Sequence, residues 1–310
     1  MEKDFHYFLI YSLARMTAYD KADIIAYASQ FVDDNNEGWF SIDGEEEAFP
    51  EKIPANGGNY YPIMTQSLSP KSLNTYVQKY VYVPFHFLPG DNSLKINGGS
   101  NPLSTTPNSK NAQALLSAAL KSNEPLSPYR IGIALHTFAD TWSHQNFSGI
   151  QESWNSIYPW YNVFKSLAPN IGHAEAGHAP DVISDRWTDH RLGREINNQE
   201  RAFNATGEIY KTLRHHSKKG PFWGEVKASY KKIINTPGYD DRIQSIDDFL
   251  QENHKGPIPN YLEDKWIDDA LDKKDEEIIM KQNFTETHWY KFQQAAKMHF
   301  SYAMDLIKEL

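Results

Sequence analysis

Leu135-His136-Thr137-Phe138-Ala139-Asp140-Thr141-Trp142-Ser143-His144 is the stretch on which the reading of this chain turns. Residues four apart share one face of a helix, each such step turning about 40° around the axis. His136, Asp140 and His144 therefore form a slowly turning row, with a carboxylate between two imidazoles. An Asp in that position can bridge two metal ions while each His serves one of them. Neutral imidazole and carboxylate suit zinc, and iron or manganese as well. Spacing alone leaves a second reading open, in which the two histidines hydrogen-bond to Asp140 as a structural network.

Other segments supply partners. Asn170-Ile171-Gly172-His173-Ala174-Glu175-Ala176-Gly177-His178-Ala179-Pro180-Asp181 carries two His and two acids on a backbone broken by Gly and Pro, and Asp185 follows. Such a segment packs poorly but can wrap an ion. His6 follows Asp4 at the entrance to the first helix, and taken alone reads more readily as a buried or capping histidine. Asp33-Asp34 closes the second helix, where acids oppose the helix dipole and call for a compensating cation. His86 lies between Phe85 and Phe87 after Pro84, and a core histidine is an equal reading there. His190, His215, His216, His254, His288 and His299 read as structural or exposed.

The chain has 310 residues, 40% hydrophobic, 14% aromatic and 23% charged. That suffices for a substantial core and excludes general disorder. Without cysteine there is no disulfide scaffold, thiolate metal site or cysteine nucleophile, so nitrogen and oxygen must hold any metal. A net charge of −9 argues against long nucleic acid as a partner. No stretch approaches the ~18–20 apolar residues of a membrane span and no signal peptide stands out, so a cytoplasmic location is expected. Helices are expected at 5–19, 21–31, 72–80, 109–121, 127–147, 152–167, 197–216, 223–233, 246–253, 262–271 and 275–310. Long loops are expected at 36–69 and 90–108, and no strand-like alternation persists. Trp39, Phe40, Tyr60 and Tyr61 in the first loop either shape a substrate mouth or simply pack. The expected architecture is one all-α domain over 1–310, with the ligands in 1–190 and a helical part from 191 to 310.

Asp33, His86, the His136-x3-Asp140-x3-His144 motif and the Glu175, His178, Asp181 series resemble, in that order, the zinc-dependent phospholipase C superfamily. Bacterial phosphatidylcholine-hydrolysing phospholipases C, fungal single-strand nucleases and the catalytic domain of glycosylphosphatidylinositol-specific phospholipase D belong to it. The local similarity is greatest to the last. The whole chain also resembles an uncharacterised bacterial family through Asp4-Phe5-His6-Tyr7 and the segment Ile25 to Asp34. The superfamily resemblance spans roughly the first 190 residues, and only the central helix motif is specific. It implies an all-α fold around three zinc ions that activate water for phosphodiester hydrolysis. By position it implies Asp140 as the bridging carboxylate, with Asp33, His86 and His136 around one ion. His144, His178 and Asp181 would surround a second, and His6 with Asp140 would serve a third. Superfamily members bind one zinc through the amino group and carbonyl of an N-terminal Trp, whereas this chain reads Met1-Glu2. Either Asp4 substitutes or the third ion is absent. The usual His-x3-acid pair is His178-x2-Asp181 here, which leaves His173, Glu175 or Asp185 as alternative ligands.

The activity this implies is hydrolysis of a lipid headgroup or small phosphodiester through two or three ions, with Asp33 and Asp140 as the catalytic acids. Asp34 and Asp181 are further candidates for orienting water. Two rival readings use the same ligands. One is a non-haem di-iron enzyme, although paired Glu-x-x-His is lacking. The other is a non-catalytic helical binding protein held together by metal. No motif selects among substrates or fixes an oligomeric state.

Overall fold

The structure, a computed structural model, describes residues 1–36, 53–55, 58–68, 70–90, 94–96, 98–158, 169–274 and 277–307. Trp39 and Phe40 lie outside them. The chain opens with a π-helical turn, Asp4–Leu9, that runs into α1 (Ile10–Met16), followed by α2 (Ala22–Asp34). After the hairpin β1 (Ile53–Ala55) and β2 (Gly58–Tyr60), a helical run comprises α3 (Thr75–Val77), a π-helical turn Gln78–Tyr82 and α4 (Val83–Phe85). It ends at His86. Next come α5 (Lys110–Leu120), begun by the Ser109 hydroxyl accepting the Ala112 N–H, and α6 (Ser127–Ser143), with Pro128 in its first turn.

Downstream, the hairpin β3 (Arg186–Asp189) and β4 (Arg194–Asn197) leads into α7 (Asn198–Ser217), capped by the Asn197 side chain. The helices α8 (Trp223–Asn235), α9 (Tyr239–Glu252) and α10 (Lys265–Ala270) follow. Then come the hairpin β5 (Leu271–Lys274) and β6 (Glu277–Met280), and α11 (His288–Leu306). The fold is thus dominated by helices, with three small antiparallel hairpins among the described residues where none was expected. One hairpin displaces the first turns of the long helix expected from 275. Only α11 remains of it, burying Trp289, Phe292, Ala295, Ala296, His299 and Ala303 at three- and four-residue steps. The helix expected at 152–167 is also absent in its described part: Ser153–Asn155 is a single 3-10 turn, and 159–168 lie outside the described residues. No helix among the described residues is long and apolar enough to cross a membrane.

The most extensive helix contact joins α2 and α6. Gly132 makes it possible, because a Cβ there would stand 2.7 Å from Ala28 Cβ and collide with the Ile25 carbonyl oxygen. The backbones approach closely one turn before His136, and that closeness lets His136 reach the main chain of α2. One hydrophobic core runs from Met1 to Ile307 and draws on both the ligand-bearing part and the C-terminal helices.

Candidate metal centre

Four segments converge on α6. The π-helical turn delivers His6, the end of α2 delivers Asp33, and the end of α4 delivers His86. α6 carries His136, Asp140 and, at its C-terminal end, His144. His173 precedes the 3-10 turn Ala174–Ala176, and Asp181 lies beyond it. Three groups of side chains bring ligand atoms within 4.8 Å of one another: Asp33, His86 and His136; His6, His136 and Asp140; His144, His173 and Asp181. These groups can hold metal ions.

Main-chain carbonyls fix the imidazoles. His136 Nδ1 lies 2.8 Å from Ser29 O and His86 Nε2 lies 2.8 Å from Thr65 O. His144 Nδ1 lies 2.9 Å from His86 O, and His173 Nδ1 2.9 Å from Gly177 O. A carbonyl oxygen only accepts, so each of these nitrogens carries the proton, and in the neutral ring the other presents a lone pair inward. His136 Nε2 and His86 Nδ1 consequently face each other at 3.1 Å with lone pair against lone pair. Asp140 Oδ2 is 3.2 Å from both, and Asp33 Oδ1 is 3.7 and 3.8 Å away. Such a set could hold a cation at its centre. Zinc–nitrogen bonds of about 2.0–2.1 Å at a tetrahedral angle separate ligand nitrogens by about 3.3–3.4 Å, close to the spacing found.

Asp140 faces two ways. Its Oδ1 lies 3.1 Å from His6 Nε2 and 2.7 Å from the Met1 nitrogen, while its Oδ2 faces His86 and His136. That is the arrangement of a bridging carboxylate. Asp181 likewise divides its oxygens, Oδ1 toward His144 Nε2 at 3.1 Å and Oδ2 toward His173 Nε2 at 3.2 Å. The His6 ring stacks on His136 with centroids 3.9 Å apart.

Electrostatics follow from burial and charge. Burial raises the Asp140 carboxyl, but His144, the Met1 amino group, His136 and His6 together hold it well below the usual carboxylate range. Asp181 is likewise lowered against the pull of burial, by the Met1 amino group, His173 and His144. Desolvation, reinforced by neighbouring Asp140, pushes Asp33 up to about 7. Burial lowers His6 well below the ordinary imidazole range and also lowers His173. His144 is raised: burial opposes the charged ring, but Asp140 and Asp181 outweigh it. A cleft of about 410 Å³ opens onto Met1, Asp33, His86, Asp140, His144 and Asp181, walled by Phe87, Tyr82 and Ile171.

Several candidates lie elsewhere than the sequence placed them. Asp4 does not turn toward the cluster; it pairs with Arg242 of α9, and the Met1 nitrogen rather than Asp4 stands beside Asp140. Asp34 faces away from Asp33, toward the Tyr261 hydroxyl and Gln30. Glu175 accepts from the Ser156 hydroxyl and from the Ile157 and Tyr158 N–H groups, which makes it a loop clamp. The Asp185 carboxyl joins no cluster, and its main-chain carbonyl accepts the Asn198 N–H. His178 is exposed on the cleft wall, and His173 takes the place beside His144 and Asp181. Tyr60 packs on Phe284, Trp289 and Tyr290, away from the cleft. No pattern of residues pointed to the carbonyls that orient the imidazoles or to Arg242.

No curated protein and no solved structure matches this chain. A family model does match, over residues 1–307, so the chain belongs to the family of unknown function DUF6765.

Proposed function

We propose that this chain is a metal-dependent phosphoesterase of the zinc-dependent phospholipase C type, hydrolysing a lipid headgroup or small phosphodiester. The observation that carries this reading is the opening of the ligand cluster into the cleft. A closed structural site would use up its ligands in the interior, whereas catalytic sites keep positions for water and substrate. Asp33 and Asp181 retain 26% and 17% of their side-chain surface exposed, on the side where a substrate enters.

Asp33, His86 and His136 would hold one ion, His144, His173 and Asp181 a second, and His6 with Asp140 a third, with Asp140 shared as the bridging carboxylate. Bound ions would supply Lewis acidity and lower the pKa of water to about 7. The protein supplies the rest. The fixed tautomers keep the imidazole lone pairs aimed inward at no cost in reorganisation. Asp33, at the foot of the cleft and outside the Asp140 bridge, is placed to accept a hydrogen bond from the attacking water and hold it in line. Phe87 and Ile171 give the cleft an apolar wall that excludes bulk water from the phosphoryl group.

The test is elemental analysis of untagged protein purified without added metal or chelator, followed by a screen of phosphodiesters and phosphomonoesters. Two or three zinc ions per chain with metal-dependent turnover support the proposal. Two irons per chain would transfer the site to oxygen chemistry. Absence of metal, with no rise in melting temperature on adding zinc, manganese or iron, would refute it.

A further inference from the structure

A second cleft, of about 380 Å³, opens between the end of α6, β4 and the first turns of α7. Arg194, Asn197, Arg201 and Asn204 line it, together with Glu195 and Glu200. Arg201 is the unusual member. Only 8% of its surface is exposed; among the described residues its guanidinium donates one hydrogen bond, from Nη1 to the Ser143 carbonyl oxygen at 3.1 Å, and lies over the Trp187 ring at 5.6 Å from the centroid. Two other arginines with buried side chains each have a carboxylate: Arg191 pairs with Asp189 at 2.7 Å and Arg242 pairs with Asp4. No described carboxylate lies within ion-pair distance of Arg201. A guanidinium carries five N–H donors, and a buried charge lacking a counter-ion is strongly unfavourable. Burial lowers the Arg201 pKa to about 10; Asp189 opposes the fall from beyond ion-pair distance, and Arg194 and Arg191 add to it. The surroundings therefore fit a missing negative charge.

The rest of the cleft agrees. The twenty-residue helix α7 begins at its edge, with Asn197 as the cap and the positive end of the helix dipole turned to the cavity rim. Of the two acids, Glu195 is tied to Arg186 at 2.8 Å. Glu200 stays exposed in the first turn, where its charge opposes any anion and leaves the attraction to Arg201 and Arg194. We propose that this cleft is an anion site that takes a small oxyanion, a phosphate or a carboxylate, on the Arg201 guanidinium. Planar oxyanions match the fork of an arginine with two parallel hydrogen bonds. None of the candidate metal ligands lines this cleft, although Ser143, whose carbonyl Arg201 holds, directly precedes His144.

The test is isothermal titration of the full chain with inorganic phosphate and, separately, acetate, each with and without EDTA. Phosphate or acetate binding that persists in EDTA supports the site, and the preferred anion identifies the ligand class. Arg201→Gln should weaken that binding at least tenfold, and Arg194→Gln severalfold. Anion binding abolished by EDTA would assign the anion to the metal centre and overturn the proposal, as would no binding of either anion. Should Arg201→Gln fail to fold, Arg194→Gln decides: unchanged affinity in a folded Arg194→Gln chain overturns the proposal.

Discussion

Replacing Arg242 by Met removes one member of a fully buried ion pair and leaves Asp4, 1% exposed, without its cation. Breaking a buried pair from one side costs about 3–5 kcal/mol, because the surviving charge stays desolvated. At about 2–4 °C per kcal/mol for a domain near this size, the melting temperature should fall by roughly 6–20 °C. The loss should depend on pH. Burial already raises the Asp4 carboxyl above its ordinary value, and losing the guanidinium raises it further. A folded-state acid with a raised pKa destabilises progressively as pH climbs from the unfolded value through the folded one. Arg242→Met should therefore be nearer to wild type at pH 5 than at pH 8. Asp4→Asn in the same chain should recover much of the deficit, since no buried charge is left unpaired. The pair anchors residues 1–6 to α9, so the ion proposed at His6 and Asp140 should be lost first, lowering the metal count by one. Thermal melts at both pH values, with metal analysis, measure all of this. A melting temperature within 2 °C of wild type at pH 8, or a double variant no better than the single one, would refute the reasoning.

Three further outcomes follow from the site. Asp140→Asn keeps the shape but not the second anionic oxygen, so metal content and any turnover of the proposed phosphoesters should fall together while the helix remains; full metal occupancy would end the bridging assignment. Gly132→Ala places a Cβ against Ala28 and the Ile25 carbonyl, and such overpacking costs about 1–3 kcal/mol; it should also weaken metal binding by pulling His136 from Ser29, as melts and metal titration would show. Metal affinity should fall as pH drops below 7, because protons on Asp33, held up to about 7, and on His144, raised, compete with the ion. Each proton displaced contributes about a tenfold change per pH unit, and Asp33→Asn should remove one from the slope measured by metal titration across pH.

The helical row of α6 was legible because a period of 3.6 is written into consecutive residues, and the apolar stripe of α11 was legible for the same reason. Asp33 and His86 were legible as candidates, but their local settings, a helix end and an apolar flank, said nothing of each other. The choice between His173 and His178 was hidden in backbone conformation. Gly172 and Gly177 adopt φ of +51° and +60°, and the tight turn between them brings His173 inward and leaves His178 on the wall. The hairpins escaped because their strands have only four residues or fewer, those of the first broken by Pro54 and Gly58 and those of the other two mixing charged with apolar side chains. The role of the C-terminal third was invisible for another reason. Asp4 with Arg242, Tyr7 with Pro259 and Asp34 with Tyr261 are single contacts across more than 200 positions, and no periodicity announces them.

Ser29 shows how far the ligand pattern and the ligand geometry are separate properties of the sequence. Its carbonyl oxygen fixes the His136 tautomer, while its own hydroxyl is buried without a partner among the described residues. The carbonyl exists whatever side chain stands there, so Ser29→Ala should leave metal content and its pH dependence unchanged. Removing an unpartnered buried hydroxyl relieves a desolvation penalty of about 1–3 kcal/mol, so the melting temperature should hold or rise. His136→Ala, one hydrogen bond away, should by contrast lose metal, because the lone pair belongs to the side chain. If Ser29→Ala lost metal while remaining folded, the hydroxyl would be part of the site and the account of main-chain orientation would be wrong. The lone pairs that face the cation are encoded residue by residue. The groups that aim them are main-chain atoms common to every residue, and only the close approach at Gly132 and the path of the backbone past Thr65 and Gly177 bring them into place.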